Sequence, residues 1–246
     1  MIPHWMRKVK PWRLRKFVTD RYIESHIDHW DQNGIALDLR SISKAMREHI
    51  TSGNYESSEI DLCSKYVEAS DSVLEIGSAI GFVSLFCLKI IGVKQICCVE
   101  PNPTTAAILK KNYALNGFSP TLIEACFTGT DGTFNLSASS DFWIDRIQES
   151  ENPSGNNTIE VFGCSLESIL SQTPFQPSVI VMDVEGAELA LTPTDIPHYI
   201  KYLILETHPR ICGWNESYKH ISQFLYNGFS ICETAGDVFV LRNDLF

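Results

Sequence analysis

The chain of 246 residues has no uninterrupted apolar run of the roughly 18 to 20 residues that a membrane-spanning helix needs. Its most apolar stretch, residues 73–93, is interrupted by Glu75, Lys89 and several glycines. It also lacks the G-x-x-x-x-G-K-[ST] sequence of a phosphate-binding loop and the G-x-S-x-G sequence of many serine hydrolases. We therefore expect no transmembrane segment and find no support for a P-loop or serine-hydrolase function.

Metal-binding and redox cysteine patterns are missing as well. The eight cysteines form no C-x-x-C pair and no Cys/His ligand spacing, and several lie in apolar strand-like runs such as residues 96–99. No apolar core follows the basic N-terminal stretch, which argues against a secretory signal. These features predict reduced thiols in a cytoplasmic protein.

Positive charge is scarce outside the first 21 residues. The net charge is −10, yet residues 1–21 hold seven of the 20 basic residues and one acid. The remaining, acidic part of the chain would repel the phosphate backbone of a nucleic acid. We therefore expect no nucleic-acid partner. The basic segment, with Trp5, Trp12 and Phe17 among its cations, either covers the body as a solvated cap or contacts an anionic surface or partner.

A regular alternation of strand and helix patterns begins near residue 72. It predicts a doubly wound α/β domain with a seven-stranded, mostly parallel, Rossmann-like sheet. Helices are predicted at residues 81–91 and 103–116. Only four residues separate the last two strands, so the final strand is antiparallel. The predicted strands are 72–76, 95–100, 121–127, 178–184, 202–207, 229–233 and 238–242.

Two segments fall outside this alternation. Residues 1–70 are predicted to form a mostly helical N-terminal extension or cap, which leaves residues 71–246 as the main domain. Residues 131–161 are rich in turn-forming residues and predict a hairpin-like excursion that could cover a site as a lid.

The first predicted strand ends in a glycine-containing turn, EIGSAIG (75–81). Such a turn brings bare backbone and a helix N-terminus close to a ligand. Its G-x-x-x-G spacing is one glycine short of the dinucleotide fingerprint, which disfavours a nicotinamide-dependent oxidoreductase. Glu100 follows Glu75 by 25 residues, at the end of the next strand, where an acid can bind ribose hydroxyls. The pattern predicts a nucleoside-containing cofactor.

Four titratable residues follow the next two parallel strands. Asp183 and Glu185 end one strand, and Glu206 and His208 end the other, so they should meet at one sheet edge. His208 or Asp183 is the candidate base for removing a proton from an acceptor. Alternatively, Asp183, Glu185 and Glu206 could hold a divalent cation such as Mg²⁺, which we do not favour, or form a surface cluster of ion pairs.

Five segments together resemble the FkbM family of class I S-adenosylmethionine-dependent methyltransferases. They cover roughly residues 50–210 in order, and DVEGAE is the most specific of them. The segments are SGNYE (52–56), EIGSAIG (75–81), VEPNP (99–103), MDVEGAE (182–188) and LETHP (205–209).

This resemblance implies S-adenosylmethionine as the cofactor. Glu75 and the glycine turn would surround its methionine part, Glu100 would bind the ribose, and the end of the third strand would line the adenine. The implied cofactor-binding residues are Glu75, Gly77, Ser78, Gly81, Glu100, Pro101, Asn102, Ala125, Cys126, Phe127 and Asp183.

The resemblance further implies an O-methyltransferase acting on a small-molecule hydroxyl, such as that of a sugar or a natural-product intermediate. The candidate catalytic residues are the four at the ends of the two strands, Asp183, Glu185, Glu206 and His208. Transfer to a peptide or other nitrogen acceptor, nicotinamide-dependent redox chemistry and a non-catalytic scaffold are the alternatives.

Overall fold

A computed structural model describes residues 28–137, 146–148 and 158–246. The basic N-terminal segment and the middle of the 131–161 excursion lie outside these residues, so the expectations for them stay predictions. In chain order the elements are β1 (His29–Gln32), β2 (Ile35–Asp38), α1 (Lys44–Thr51), α2 (Ser57–Tyr66), β3 (Ser72–Ile76), α3 (Phe82–Phe86), β4 (Gln95–Val99), α4 (Pro103–Leu115), β5 (Thr121–Ile123), β6 (Cys126–Phe127), β7 (Gly132–Ser137), β8 (Arg146–Gln148), β9 (Thr158–Cys164), α5 (Leu166–Gln172), β10 (Val179–Met182), β11 (Tyr202–Glu206), α6 (Pro209–Cys212), α7 (Trp214–Tyr226), β12 (Phe229–Ala235) and β13 (Val238–Asn243).

The central sheet has seven strands in the order β12-β13-β11-β10-β3-β4-β5. The pairs from β5 across to β11 are parallel, while β13 runs antiparallel to both of its neighbours. This topology confirms the predicted doubly wound α/β sheet with its antiparallel final strand. It also places the carboxyl ends of β3, β4, β10 and β11 along one edge, where open α/β sheets bind ligands.

Burial on both faces explains why the sequence predicted the central strands well. All four residues of β10 are buried. Val179 and Val181 face one core cluster, whereas Ile180 and Met182 face the other. A strand covered on both sides reads as a continuous apolar run rather than an alternating one.

The third predicted strand, 121–127, is wrong as a single strand. Only β5 belongs to the central sheet, while β6 pairs with β9 in a separate four-stranded sheet of order β6-β9-β7-β8. Because β5 is the edge strand and its neighbour β4 ends at Val99, opposite Ile123, the chain has no partner in the central sheet beyond that point. The antiparallel pairs of β7 with β8 and β9 agree with the hairpin-like excursion.

The described part of the N-terminal extension combines helices with a short hairpin, and the expectation of a mostly helical extension stays a prediction. Its described part contains α1 and α2 but starts with the antiparallel hairpin β1-β2. The hairpin turns at Asn33 and Gly34, whose φ angles of 54° and 79° suit an Asn-Gly turn. Ile35 and Leu37 are fully buried in the same core cluster as Val73 of β3. The described part of the extension therefore shares the core of the main domain.

Two other findings concern cysteines and membrane segments. All eight cysteines are free thiols, and six of them are buried. Among the described residues, no helix combines the length and hydropathy that crossing a bilayer demands.

Candidate functional site

The glycine turn after β3 forms one wall of a cleft at the carboxyl edge of the sheet. Gly77 has a φ of +86°, and a Cβ at this position would lie 1.6 Å from the carbonyl oxygen of Asp183. Asp183 in turn donates its backbone N–H to the carbonyl of Ile76 at 3.0 Å. Only glycine lets the two strand ends approach this closely, and the approach places Asp183 directly beside the turn.

Glu100 is fixed beside the same turn. Its Oε2 accepts a hydrogen bond from the N–H of Ala79 at 3.0 Å, and its Oε1 accepts one from the N–H of Asn102 at 2.9 Å. Ala79 holds a left-handed φ of 44°, which is uncommon for a residue other than glycine. A carboxylate can accept about four hydrogen bonds, so Glu100 can hold these two N–H groups and bind ribose hydroxyls together.

The cleft encloses about 720 Å³ of space, a volume that includes open solvent at its mouth. The lining includes eight of the residues that the sequence predicted. They are Gly77, Glu100, Pro101, Ala125, Cys126, Phe127, Asp183 and Glu185. Tyr55 and Glu56, from the SGNYE segment, and Leu136 of β7 line it too.

Three predicted cofactor residues stand behind the wall and shape it. The Ser78 hydroxyl accepts from the N–H of Val99 and donates to the carbonyl of Glu75, each at 3.1 Å. A Cβ on Gly81 would lie 2.9 Å from a side-chain carbon of α4. Asn102 caps α4 by accepting from the N–H of Thr104 at 2.9 Å. The structure therefore gives these residues contacts within the protein, behind the cleft lining.

Glu75 also lies behind the main cleft. It is buried beneath the start of α3, where its Oε1 accepts from the N–H of Ser84 at 3.1 Å. Burial raises the pKa of Glu75 to about 7, although its hydrogen bonds oppose the shift. It lines a smaller crevice together with Glu56, Glu59 and Asp183. We interpret Glu75 as a support for the turn.

His208 lies among three carboxylates, and its side chain is only 11% exposed. Its Nε2 is 3.2 Å from Asp183 Oδ1 and 3.8 Å from Glu185 Oε2. Its Nδ1 is 3.2 Å from Oε1 of Glu188, which also accepts the backbone N–H of His208 at 2.9 Å. Burial opposes protonation, but the Asp183 and Glu188 carboxylates outweigh it and raise the pKa of His208 to about 11.

Glu188 is fully buried and fixes this arrangement from below. Its Oε2 accepts the N–H of Gly186 at 2.7 Å. Burial works to raise the pKa of Glu188, yet its contacts with His208 lower it below the ordinary value. Glu188 lies in the DVEGAE motif but was not among the site residues predicted from the sequence.

More carboxylates stand on the inner side of His208. Burial, followed by the negative charges of Asp183 and Glu59, raises the pKa of Glu206 to about 9. Burial is also the main reason that the pKa values of Glu59 and Glu56 are raised. Glu59 was missed by sequence reasoning, although an acid next to the buried Ile60 on α2 was an available signal.

The structure therefore brings Asp183, Glu185, Glu206 and His208 together, as the sequence predicted. Two of them, Asp183 and Glu185, line the cleft, whereas Glu206 and His208 stand behind Asp183. Glu185 reaches the cleft from a left-handed conformation, with a φ of 49°. Such strain is tolerated mainly where the surrounding structure enforces it, often at functional sites.

No protein-family model matches the sequence, and no curated protein matches it. Solved structures do match. A methyltransferase FkbM from Methylobacillus flagellatus KT aligns with a TM-score of 0.50 and 11% identity, over 93% of this chain and 59% of that one. The fold is that of the class I methyltransferases. A ribosomal protein L11 methylase from Lactobacillus delbrueckii subsp. bulgaricus aligns with a TM-score of 0.45 and 16% identity, over 78% of this chain and 77% of that one.

A structural match at such low sequence identity establishes the fold alone. The cofactor and the reaction follow only from the chemistry of the site.

Proposed function

We propose that the protein is an S-adenosylmethionine-dependent O-methyltransferase acting on a small-molecule hydroxyl, such as that of a sugar or a natural-product intermediate. The observation that carries the proposal is the carboxylate of Glu100, fixed beside the Gly77 turn in an open cleft. The sheet edge at which it lies is the ligand-binding edge of this class of fold.

The residues on the cleft wall fit the cofactor in three parts. Glu100 accepts hydrogen bonds from the ribose hydroxyls. Ala125, Cys126 and Phe127 give an apolar surface for the adenine, and all three are buried against the core. The methionine part lies against the Gly77 turn and Asp183, which both line the cleft. When bound, S-adenosylmethionine supplies an electrophilic methyl group on a sulfonium.

The acceptor then enters on the side of Asp183 and Glu185, the two carboxylates of the predicted catalytic set that line the cleft. The protein holds the acceptor oxygen in line with the methyl group, which accounts for much of the rate enhancement in such a displacement. A cleft carboxylate takes the hydroxyl proton as the oxygen–carbon bond forms and the sulfur–carbon bond breaks. Glu206 and His208 hold Asp183 from behind.

Calorimetry tests the cofactor half of this proposal without knowledge of the acceptor. The full chain is titrated separately with S-adenosylmethionine, S-adenosylhomocysteine and NAD. We expect one site per chain for each adenosyl ligand and no heat of binding for NAD. Binding of NAD alone would indicate an oxidoreductase in place of a methyltransferase. Binding of none of the three ligands would indicate a non-catalytic scaffold.

A further inference from the structure

Three side chains, one of them Asp183 of the cleft wall and two standing behind it, bring one ligand atom each close together. These atoms, from Asp183, Glu206 and His208, all lie within 4.8 Å of one another. The arrangement follows from the sheet, because Met182 pairs with Leu205 in the parallel strands β10 and β11. Asp183 and Glu206 are the next residues of the two strands, so they lie side by side.

The contact between Asp183 and His208 is close without being a hydrogen bond. Asp183 Oδ1 lies 3.2 Å from His208 Nε2, yet this oxygen is shielded from solvent and accepts no hydrogen bond. A buried acceptor without a donor is unfavourable. Neighbouring ligands of an octahedral cation with bonds of about 2.1 Å lie roughly 3 Å apart. The spacing therefore suits two atoms that share a cation, and such a cation would satisfy the oxygen.

The ring of His208 is also oriented as metal-binding histidines usually are. Its Nδ1 is held by the buried carboxylate of Glu188 at 3.2 Å, which leaves Nε2 directed toward the point between Asp183 and Glu206. A carboxylate on the second ring nitrogen is the common support of a histidine ligand, because it fixes the ring and increases its basicity.

The surroundings add negative charge to the same place. Glu56 and Glu59 line the crevice that also contains Asp183, and Glu185 Oε2 lies 3.8 Å from His208 Nε2. Carboxylates gathered this closely repel one another unless a positive charge lies between them. A divalent cation would replace the imidazolium proton as that charge.

We propose that Asp183, Glu206 and His208 bind a divalent cation at the acceptor end of the cleft. The sequence had offered Asp183, Glu185 and Glu206 as an alternative that was not favoured, and the proposed set has His208 in place of Glu185. Two carboxylates and one imidazole suit Mn²⁺ or another first-row cation better than Ca²⁺. Its catalytic role, to bind the acceptor hydroxyl and lower the pKa of that hydroxyl, rests on the proposed function; the binding itself does not.

The test is a titration of the full chain, freed of metal with EDTA and dialysed, with MnCl₂ in the absence of cofactor. Electron paramagnetic resonance measures free Mn²⁺. We expect one Mn²⁺ bound per chain, and at least tenfold weaker binding by Asp183→Asn and by Glu206→Gln. Glu216→Gln, on the exposed pair with Lys219, is the matched control and should bind as the original chain does.

A free Mn²⁺ signal that rises in proportion to the added MnCl₂ for the original chain would overturn the proposal, whatever the variants do. Unchanged binding by both Asp183→Asn and Glu206→Gln, with circular dichroism showing them folded, would overturn it equally. Calorimetry with S-adenosylhomocysteine on the same sample separates the two proposals. Mn²⁺ binding without S-adenosylhomocysteine binding would retain the cation site and reject the methyltransferase function, and the reverse result would reject only the cation site.

Discussion

Replacing Glu100 with alanine removes the carboxylate to which we assign the ribose hydroxyls. A hydrogen bond to a charged group contributes about 1.5 to 3 kcal/mol, and a tenfold change in affinity corresponds to about 1.4 kcal/mol. Loss of one ribose bond therefore weakens S-adenosylhomocysteine binding at least about tenfold, and loss of both weakens it at least about a hundredfold. Calorimetry measures the change directly.

The same substitution also frees the N–H groups of Ala79 and Asn102, so part of the effect acts through the turn. Glu100→Gln keeps the shape and removes the charge, and it should still lose at least tenfold in affinity. Glu124→Gln is the matched control, because Glu124 follows β5, is half exposed and pairs with Lys110 at 2.5 Å. If folded Glu100→Ala bound S-adenosylhomocysteine as tightly as the original chain, the ribose assignment would be refuted.

Three further predictions test the packing and the chemistry. Gly77→Ala should lower the free energy of unfolding by about 2 to 5 kcal/mol, because it combines an unfavourable φ with a clash. Chemical denaturation measures this loss. Gly117 has a φ of +81° and open space around it, so Gly117→Ala should lose only the smaller part of the free energy that comes from the backbone conformation. Glu185→Gln should slow turnover on the acceptor about a hundredfold or more while S-adenosylhomocysteine affinity changes little, and equal loss of both would reject a role in proton transfer. The hydrogen bonds that Arg40 donates lower the pKa of Asp38 from 3.8 to about 2. The stability that this pair contributes is therefore present above pH 4 and is lost as the pH falls toward 2. Asp38→Asn should flatten that part of the curve of unfolding free energy against pH, and an unchanged slope would show that the pair contributes nothing.

The sequence predicted the central strands because their burial leaves a direct trace. β10 is a buried run that Asp183 follows, and the largely buried β11 ends at Glu206. The two acids lie at the sheet edge where the topology brings them together. The positions of Asp183 and His208 therefore follow from chain order and strand direction. The buried Glu188 lies under the His208 ring because of the conformation of the turn that follows β10. The DVEGAE sequence alone did not predict this position.

Local patterns could not show where a strand changes partners. The strand-like segment 121–127 continues through the break between β5 and β6, because Ile123 on one side and Cys126 and Phe127 on the other are buried, in part against different clusters. The hairpin β1-β2 is short, and its Asn33-Gly34 turn was the available signal.

The sequence also did not show which residues of the glycine turn face the cleft. Glu75 and Gly77 are two residues apart in the sequence, yet one lies beneath α3 and the other lines the cleft. Proximity to a motif predicted a role in the site, but burial and hydrogen bonding decide which residues line the cleft.

A structure of the protein with S-adenosylhomocysteine bound tests the central claim most directly. The account predicts both ribose hydroxyls within hydrogen-bond distance of Glu100, the adenine against Phe127, and the thioether sulfur facing Asp183 and Glu185 across the cleft. A ligand bound elsewhere, or in this cleft with its ribose away from Glu100, would contradict the account.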